Sequence, residues 1–177
     1  MLDVPLLFGG LDFPASDGVV FERTNPISGK VVSRAAAATL DDASAAVASA
    51  AAAFPAWSAL GPNARRACLN KAAELLAGRE DLFAQAMAEE TGATANWAAF
   101  NVRLGADMLR EAAALTTHVG GEIIPSDEPG MTAMALRQPV GVVLGIAPWN
   151  APVILGVRAI AMPLACGNTV VLKASEI

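Results

Sequence analysis

The stretch at residues 137–176, RQPVGVVLGIAPWNAPVILGVRAIAMPLACGNTVVLKASE, decides how the rest of the chain is read. Residues 140–146 form an apolar run of buried-strand length, and Ala147-Pro148-Trp149-Asn150 interrupts it. Pro152 suits the first turn of a helix, because its fixed φ fits there and its missing N–H would have no partner anyway. Residues 153–165 carry the helix and Gly167-Asn168 stops it. Residues 169–173 are a second β-branched, apolar strand. Two buried strands joined by a helix make a βαβ unit with parallel strands and a right-handed crossover. In open α/β sheets, ligands sit outside the carboxyl ends of the strands. Those ends carry Pro148-Trp149-Asn150 and Lys173-Ala174-Ser175-Glu176, so the polar groups cluster where such a fold puts its chemistry.

The 177 residues suffice for one domain with a sizeable core. A net charge of −5 argues against nucleic acid, because no basic stripe exists to neutralise phosphates. Cys68 and Cys166 lie far apart with no CxxC or histidine partner nearby, so no metal site or disulfide framework is expected. The start, Met1-Leu2-Asp3-Val4-Pro5, has no signal-peptide character, which points to the cytoplasm. Residues 138–157 carry no formal charge and are long enough to span a bilayer. Pro139, Pro148 and Pro152 delete backbone donors from that stretch, however, and a spanning helix must satisfy its own backbone. No membrane span is expected.

Along the chain, residues 6–8 and 19–23 read as strands around a turn-rich link, and residues 31–34 continue the arm after the Asn25-Pro26…Gly29 turn. This arm is expected to be an antiparallel edge piece. Thr39 caps a helix whose first turn holds Asp41 and Asp42; its alanine run is expected to end at Pro55. Pro62-Asn63 opens another helix, with Cys68, Leu69, Ala72, Leu75 and Leu76 on its apolar face. Leu82, Phe83, Ala86 and Met87 mark a third, stopped by Thr91-Gly92. Residues 96–117 form a fourth, along which Trp97, Phe100, Leu104, Met108 and Leu115 recur about one turn apart. Core packing is the default reading of that stripe. Glu89, Glu90 and Glu111 read as solvated charges. Residues 122–124 and 131–137 form a hairpin apolar on both faces, which needs a partner surface.

Pro139-Val140-Gly141, Pro148-Trp149-Asn150, Pro163-Leu164-Ala165-Cys166-Gly167-Asn168 and Lys173-Ala174-Ser175-Glu176 closely resemble the aldehyde dehydrogenase superfamily. Phe8-Gly9-Gly10, Thr24-Asn25-Pro26…Gly29 and Gly121…Ile124-Pro125 follow in family order, so the likeness covers the whole chain. Within the superfamily it looks most like the aromatic-aldehyde branch of salicylaldehyde and vanillin type. The resemblance implies an α/β fold: an incomplete Rossmann-like NAD-binding domain with an N-terminal β arm, a helical segment and an oligomerisation hairpin near residues 122–137. It implies NAD-dependent oxidation of an aldehyde to a carboxylate, and a homo-oligomer.

The resemblance also distributes roles. Asn150 becomes the oxyanion donor; read from the residues alone, an asparagine before a helix is more simply its N-cap. Ile146, Ala147, Pro148 and Trp149 shape the cofactor path. Lys173, Ser175 and Glu176 line the cofactor crevice, where a carboxylate accepts from a ribose 2′-hydroxyl and repels a 2′-phosphate, favouring NAD over NADP. Trp97, Phe100 and Leu104 become walls around an aromatic ring. Arg158 is offered to a phenol oxygen, with an exposed surface arginine as the equal alternative. No metal is implied. Cys166 and Cys68 read as small core residues, because nothing beside them lowers a thiol pKa. His118 has no nucleophile beside it. The family's catalytic cysteine and general-base glutamate have no counterpart here. The chain is therefore expected to be the N-terminal portion of a longer enzyme, inactive alone. A non-catalytic module that joins full-length subunits is the alternative.

Overall fold

The computed structural model describes residues 1–175. The arm contains β1 (Leu2–Val4), β2 (Leu6–Phe8), β3 (Leu11–Phe13), β4 (Val20–Thr24) and β5 (Val31–Ala36). β2 and β3 pair around Gly9 and Gly10, both in the left-handed region, and Phe8 stacks on Phe13 at 4.4 Å. β4 runs antiparallel to β5, while β1 joins its other edge in parallel. The arm is thus not purely antiparallel, and the expected turn-rich link holds a strand. Three residues that include Asp12 offer too short an alternation to read. The turn between β4 and β5 is held by Asn25, whose Oδ1 accepts from the N–H groups of Ile27 and Ser28 at 3.0 and 2.8 Å.

Helix α1 (Leu40–Ala59) begins with a capping box. Thr39 Oγ1 accepts from the Asp42 N–H at 3.2 Å, and Asp42 Oδ2 accepts from the Thr39 N–H at 2.9 Å. The same carboxylate accepts from the Ser16 N–H at 3.1 Å and ties the arm to the helix. Contrary to expectation, α1 runs through Pro55. Proline removes one helical donor, and tertiary anchoring compensates: the Trp57 indole N–H, beyond the proline, donates to the Leu164 carbonyl at 3.1 Å.

Three further helices follow: α2 (Pro62–Ala77), α3 (Glu80–Thr91) and α4 (Ala95–Leu115). Gly92 closes α3 with a left-handed φ of 69°. The buried face of α2 is Arg65, Leu69 and Ala73, with Leu76 packed against it; of the expected stripe Leu69 and Leu76 hold, while Cys68, Ala72 and Leu75 are exposed. Arg65 earns its burial by hydrogen bonding. Glu90 is also no solvated charge, since it accepts from the Ser33 hydroxyl, which is buried on β5. On α4 the inward face is mostly small: Ala98, Gly105, Ala106, Ala112 and Ala113 are buried, together with Asn101, Val102 and Leu109. Of the expected stripe, Trp97 and Phe100 are 42% and 44% exposed and lie outside the core, whereas Met108 packs against it and Leu104 and Leu115 are partly buried. Small residues let helix backbones approach closely, and that need overrides the size of the apolar side chains.

β6 (Glu122–Ile124) and β7 (Ala133–Ala135) form the expected hairpin, with the second strand shorter than its apolar run. Ile123, Met134 and Leu136 stay exposed. β8 (Val142–Ile146), α5 (Pro152–Ala165) and β9 (Thr169–Lys173) are the βαβ unit, and β8 and β9 pair in parallel. The core joins α2, α4 and α5 through Leu69, Ala73, Ala106, Leu109, Ala113, Val157, Ala161 and Ala165. Gly145 sets the distance between β8 and α5, because a Cβ there would lie 3.0 Å from that of Ala159. Among the described residues, no helix is long and apolar enough to cross a membrane.

The hydrogen bond from the Thr39 backbone, then that from Ser16, holds the Asp42 carboxyl below its ordinary pKa of 3.8. A carboxyl with a depressed folded pKa stabilises the fold above its unfolded pKa and loses that contribution as pH falls through the folded value. Asp42→Asn is therefore expected to lower the melting temperature at pH 7. The gap from the parent closes below the ordinary value of 3.8, which calorimetry across that range checks.

Candidate active site

The site is built from the far end of the βαβ unit. Its register is set at the near end by Asn168, which the sequence marks as a helix stop at the end of a family motif. Asn168 Oδ1 accepts from the Val140 and Gly141 N–H groups at 2.7 and 3.2 Å, and its Nδ2 donates to the Pro163 carbonyl at 3.1 Å. One buried carboxamide thus joins the approach to β8 to the exit of α5. The Thr169 N–H then donates to the Gly141 carbonyl at 3.1 Å, and the two strands stay in step to the pair Ile146 and Lys173.

At the carboxyl edge the strands end together, with the Ala147 N–H donating to the Lys173 carbonyl at 3.0 Å. Ala147 is buried, while Ile146, Pro148, Trp149, Asn150 and Lys173 are exposed. Paired residues in a sheet share a face. Ile146, 65% exposed, and Lys173 therefore present one open surface beside the turn that carries Asn150. Lys173 Nζ donates to the Ala174 carbonyl at 3.1 Å, and Ser175 is half-buried. Glu176, expected at this edge, lies outside the described residues.

The N-cap of α5 is Ala151, with φ −141° and no side-chain cap bond. Asn150 is therefore not the cap, which was the plainer expectation for it. Its exposed carboxamide holds no hydrogen-bond partner among the described residues and is available to a ligand. Its backbone is anchored from α4, where the Trp97 indole N–H donates to the Asn150 carbonyl at 3.4 Å. Trp97 and Phe100 stack with centroids 5.6 Å apart. The structure thus brings Trp97 and Phe100 beside Asn150, an apolar wall next to an amide donor. Leu104, one turn further along α4 from Phe100, is partly buried. Arg158 is exposed and has no hydrogen-bond or ion-pair partner among the described residues.

Cys166 caps α5 just before β9, so it stands at the opposite end of the strands from Asn150. Five-residue strands separate the two ends by roughly 13 Å. Cys166 is half-buried, whereas the expectation of burial fails for Cys68, which is exposed. His118 is exposed beyond the end of α4. No group of three potential metal-ligating side chains occurs among the described residues.

The edge thus carries a free amide donor, a lysine and an aromatic pair. The sequence pattern of the aldehyde dehydrogenase family matches residues 13–177, and the chain belongs to that family. It is 71% identical over its full length to vanillin dehydrogenase of Pseudomonas fluorescens, of which it covers 36%. A crystal structure of salicylaldehyde dehydrogenase from Pseudomonas putida G7 complexed with salicylaldehyde superposes with a TM-score of 0.97 at 44% identity. That match covers 99% of this chain and 36% of the other. A NAD-dependent benzaldehyde dehydrogenase from Corynebacterium glutamicum matches with a TM-score of 0.90 at 32% identity, over 96% of this chain and 37% of the other. The chain therefore spans a little over a third of the length of such relatives.

Proposed function

We propose that this chain provides the oxyanion donor and part of the cofactor edge of an NAD-dependent dehydrogenase for aromatic aldehydes. The observation that carries the reading is the uncommitted Asn150 carboxamide, on a residue whose backbone carbonyl accepts from the Trp97 indole beside the shared carboxyl edge of β8 and β9. The similarity to vanillin and salicylaldehyde dehydrogenases supports the aromatic class.

The chemistry follows from charge. Attack by a thiolate on an aldehyde carbon turns the carbonyl oxygen into an alkoxide, and a donor aimed at that oxygen stabilises the transition state. An amide N–H donates at any working pH and needs no protonation event. The N-terminus of α5 begins beside Asn150 and adds a positive dipole end. The thiolate, and the base for thioester hydrolysis, come from elsewhere in the complete enzyme: Cys166 stands at the opposite end of the strands and Cys68 lies on α2. A bound nicotinamide dinucleotide supplies the hydride acceptor. Ile146, Pro148 and Trp149 offer it packing surface, while Lys173 and Ser175 offer hydrogen-bonding groups for ribose hydroxyls. The aldehyde's ring lies against Trp97 and Phe100, with Leu104 further along the same helix, and Arg158 serves a ring hydroxyl.

In the complete enzyme, Asn150→Ala is expected to lower kcat by about 100- to 1000-fold, with dinucleotide affinity unchanged. A loss under threefold in a stopped-flow turnover assay would count against the oxyanion role. Proteins of this fold use either dinucleotide. The proposal of NAD rests on Glu176 as a carboxylate that disfavours a 2′-phosphate, and a higher kcat/KM with NADP contradicts it. Arg158→Leu should raise KM for salicylaldehyde more than for benzaldehyde, and equal changes remove Arg158 from substrate recognition.

A further inference from the structure

Asn101 stands on α4 with 0% of its surface exposed. Its Nδ2 donates to the Trp97 carbonyl at 3.0 Å, which fixes the amide orientation, because a carbonyl can only accept. The opposite atom, Oδ1, is buried and has no hydrogen-bond partner among the described residues. A fold bears the cost of a buried unpaired acceptor only for a reason. One helical turn before Asn101, Trp97 donates to the Asn150 carbonyl. One turn after it, Gly105 packs on α5, where an added Cβ would lie 3.2 Å from Val153 Cγ1. Side chains four apart share a helix face, so Asn101 sits between these two contacts, opposite the first turn of α5.

That first turn holds the complementary groups. The leading N–H groups of any helix have no intrahelical acceptor. Here no side chain caps them, and Ala151 and Ile154 are buried. An acceptor without a donor therefore lies on the face of α4 that packs on α5, and with Pro152 lacking an N–H the open donors of that turn are those of Val153 and Ile154, which have no side-chain acceptor.

We propose that Asn101 is a positioning residue: its Oδ1 holds the first turn of α5 and so aims the Asn150 carboxamide at the substrate oxygen. The inference rests on the reading of Asn150 as oxyanion donor. A residue that only packs would affect stability. A positioning residue affects kcat, and only while Asn150 is present to be aimed.

The test is a double-mutant cycle in the complete enzyme. Asn101→Leu keeps the volume and removes the acceptor, and is expected to lower kcat about tenfold. Aldehyde KM and dinucleotide affinity stay within about twofold. Asn101→Ser, which returns a hydroxyl and space for water, restores most of the loss. In an Asn150→Ala background, Asn101→Leu changes kcat by less than about twofold. An equal loss in both backgrounds overturns the proposal, as does a lower melting temperature with kcat intact. Loss of kcat in Asn150→Ala but not in Asn101→Leu overturns the positioning role alone. Intact kcat in Asn150→Ala overturns the oxyanion reading and this inference with it.

Discussion

The carbonyl end of α5 is the joint on which the structure turns. The last carbonyls of a helix have no partner within it and must find one elsewhere. Each of three consecutive carbonyls here is taken by a different element. Pro163 accepts from Asn168 ahead of β9, Leu164 from the Trp57 indole of α1, and Ala165 from Arg65 Nε of α2 at 3.1 Å. Arg65 also donates to the Leu60 carbonyl at the end of α1. Its neighbour Arg66 treats α4 likewise, reaching the carbonyls of Ala113 and Ala114 at 3.2 and 3.3 Å. Two adjacent arginines in the first turn of α2 thus gather the negative ends of three helices, where a cation is favoured.

This clamp acts on the edge at the other end of the strands. Because α5 and β9 are fixed to each other and to the approach of β8 by Asn168, the parallel register leaves little freedom where the strands end. Ile146 and Lys173 finish side by side, and the turn carrying Asn150 leaves from a defined point. The Trp97 indole then fixes that turn from α4. The unit thus has one end rich in captured carbonyls, where Cys166 lies, and an opposite end that carries the free amide of Asn150.

The βαβ unit was legible because its signals are local: two apolar runs, a proline at the first helical turn and a glycine after the last. The start of α1 was legible for the same reason, as Thr39 and the aspartates near it mark a helix start. What escaped depended on partners far along the chain. Nothing near Pro55 announces that Trp57 will bind a carbonyl 107 residues away and keep the helix going. Arg65 looks like surface until α5 is laid against it. The stripe on α4 misled at its aromatic end, Trp97 and Phe100, because close helix packing there selects small residues, while Met108 further along does pack on the core. For the candidate site, Asn150 and the aromatic pair were named through family resemblance, whereas Asn101 gave no signal beyond its residue type and Asn168 read as a helix stop within a family motif, not as the clasp of β8. The capping alternative for Asn150 could be decided only by coordinates, since the cap lies one residue later, at Ala151.

Amide hydrogen exchange on Arg65→Met in the complete protein tests the dependence of the chemical edge on the clamp. If the clamp governs the edge, protection falls together in α5, β8 and β9, while the β4–β5 pair of the arm keeps the parent's rates. Faster exchange confined to the ends of α1 and α5, with β8 and β9 unchanged, would contradict the account.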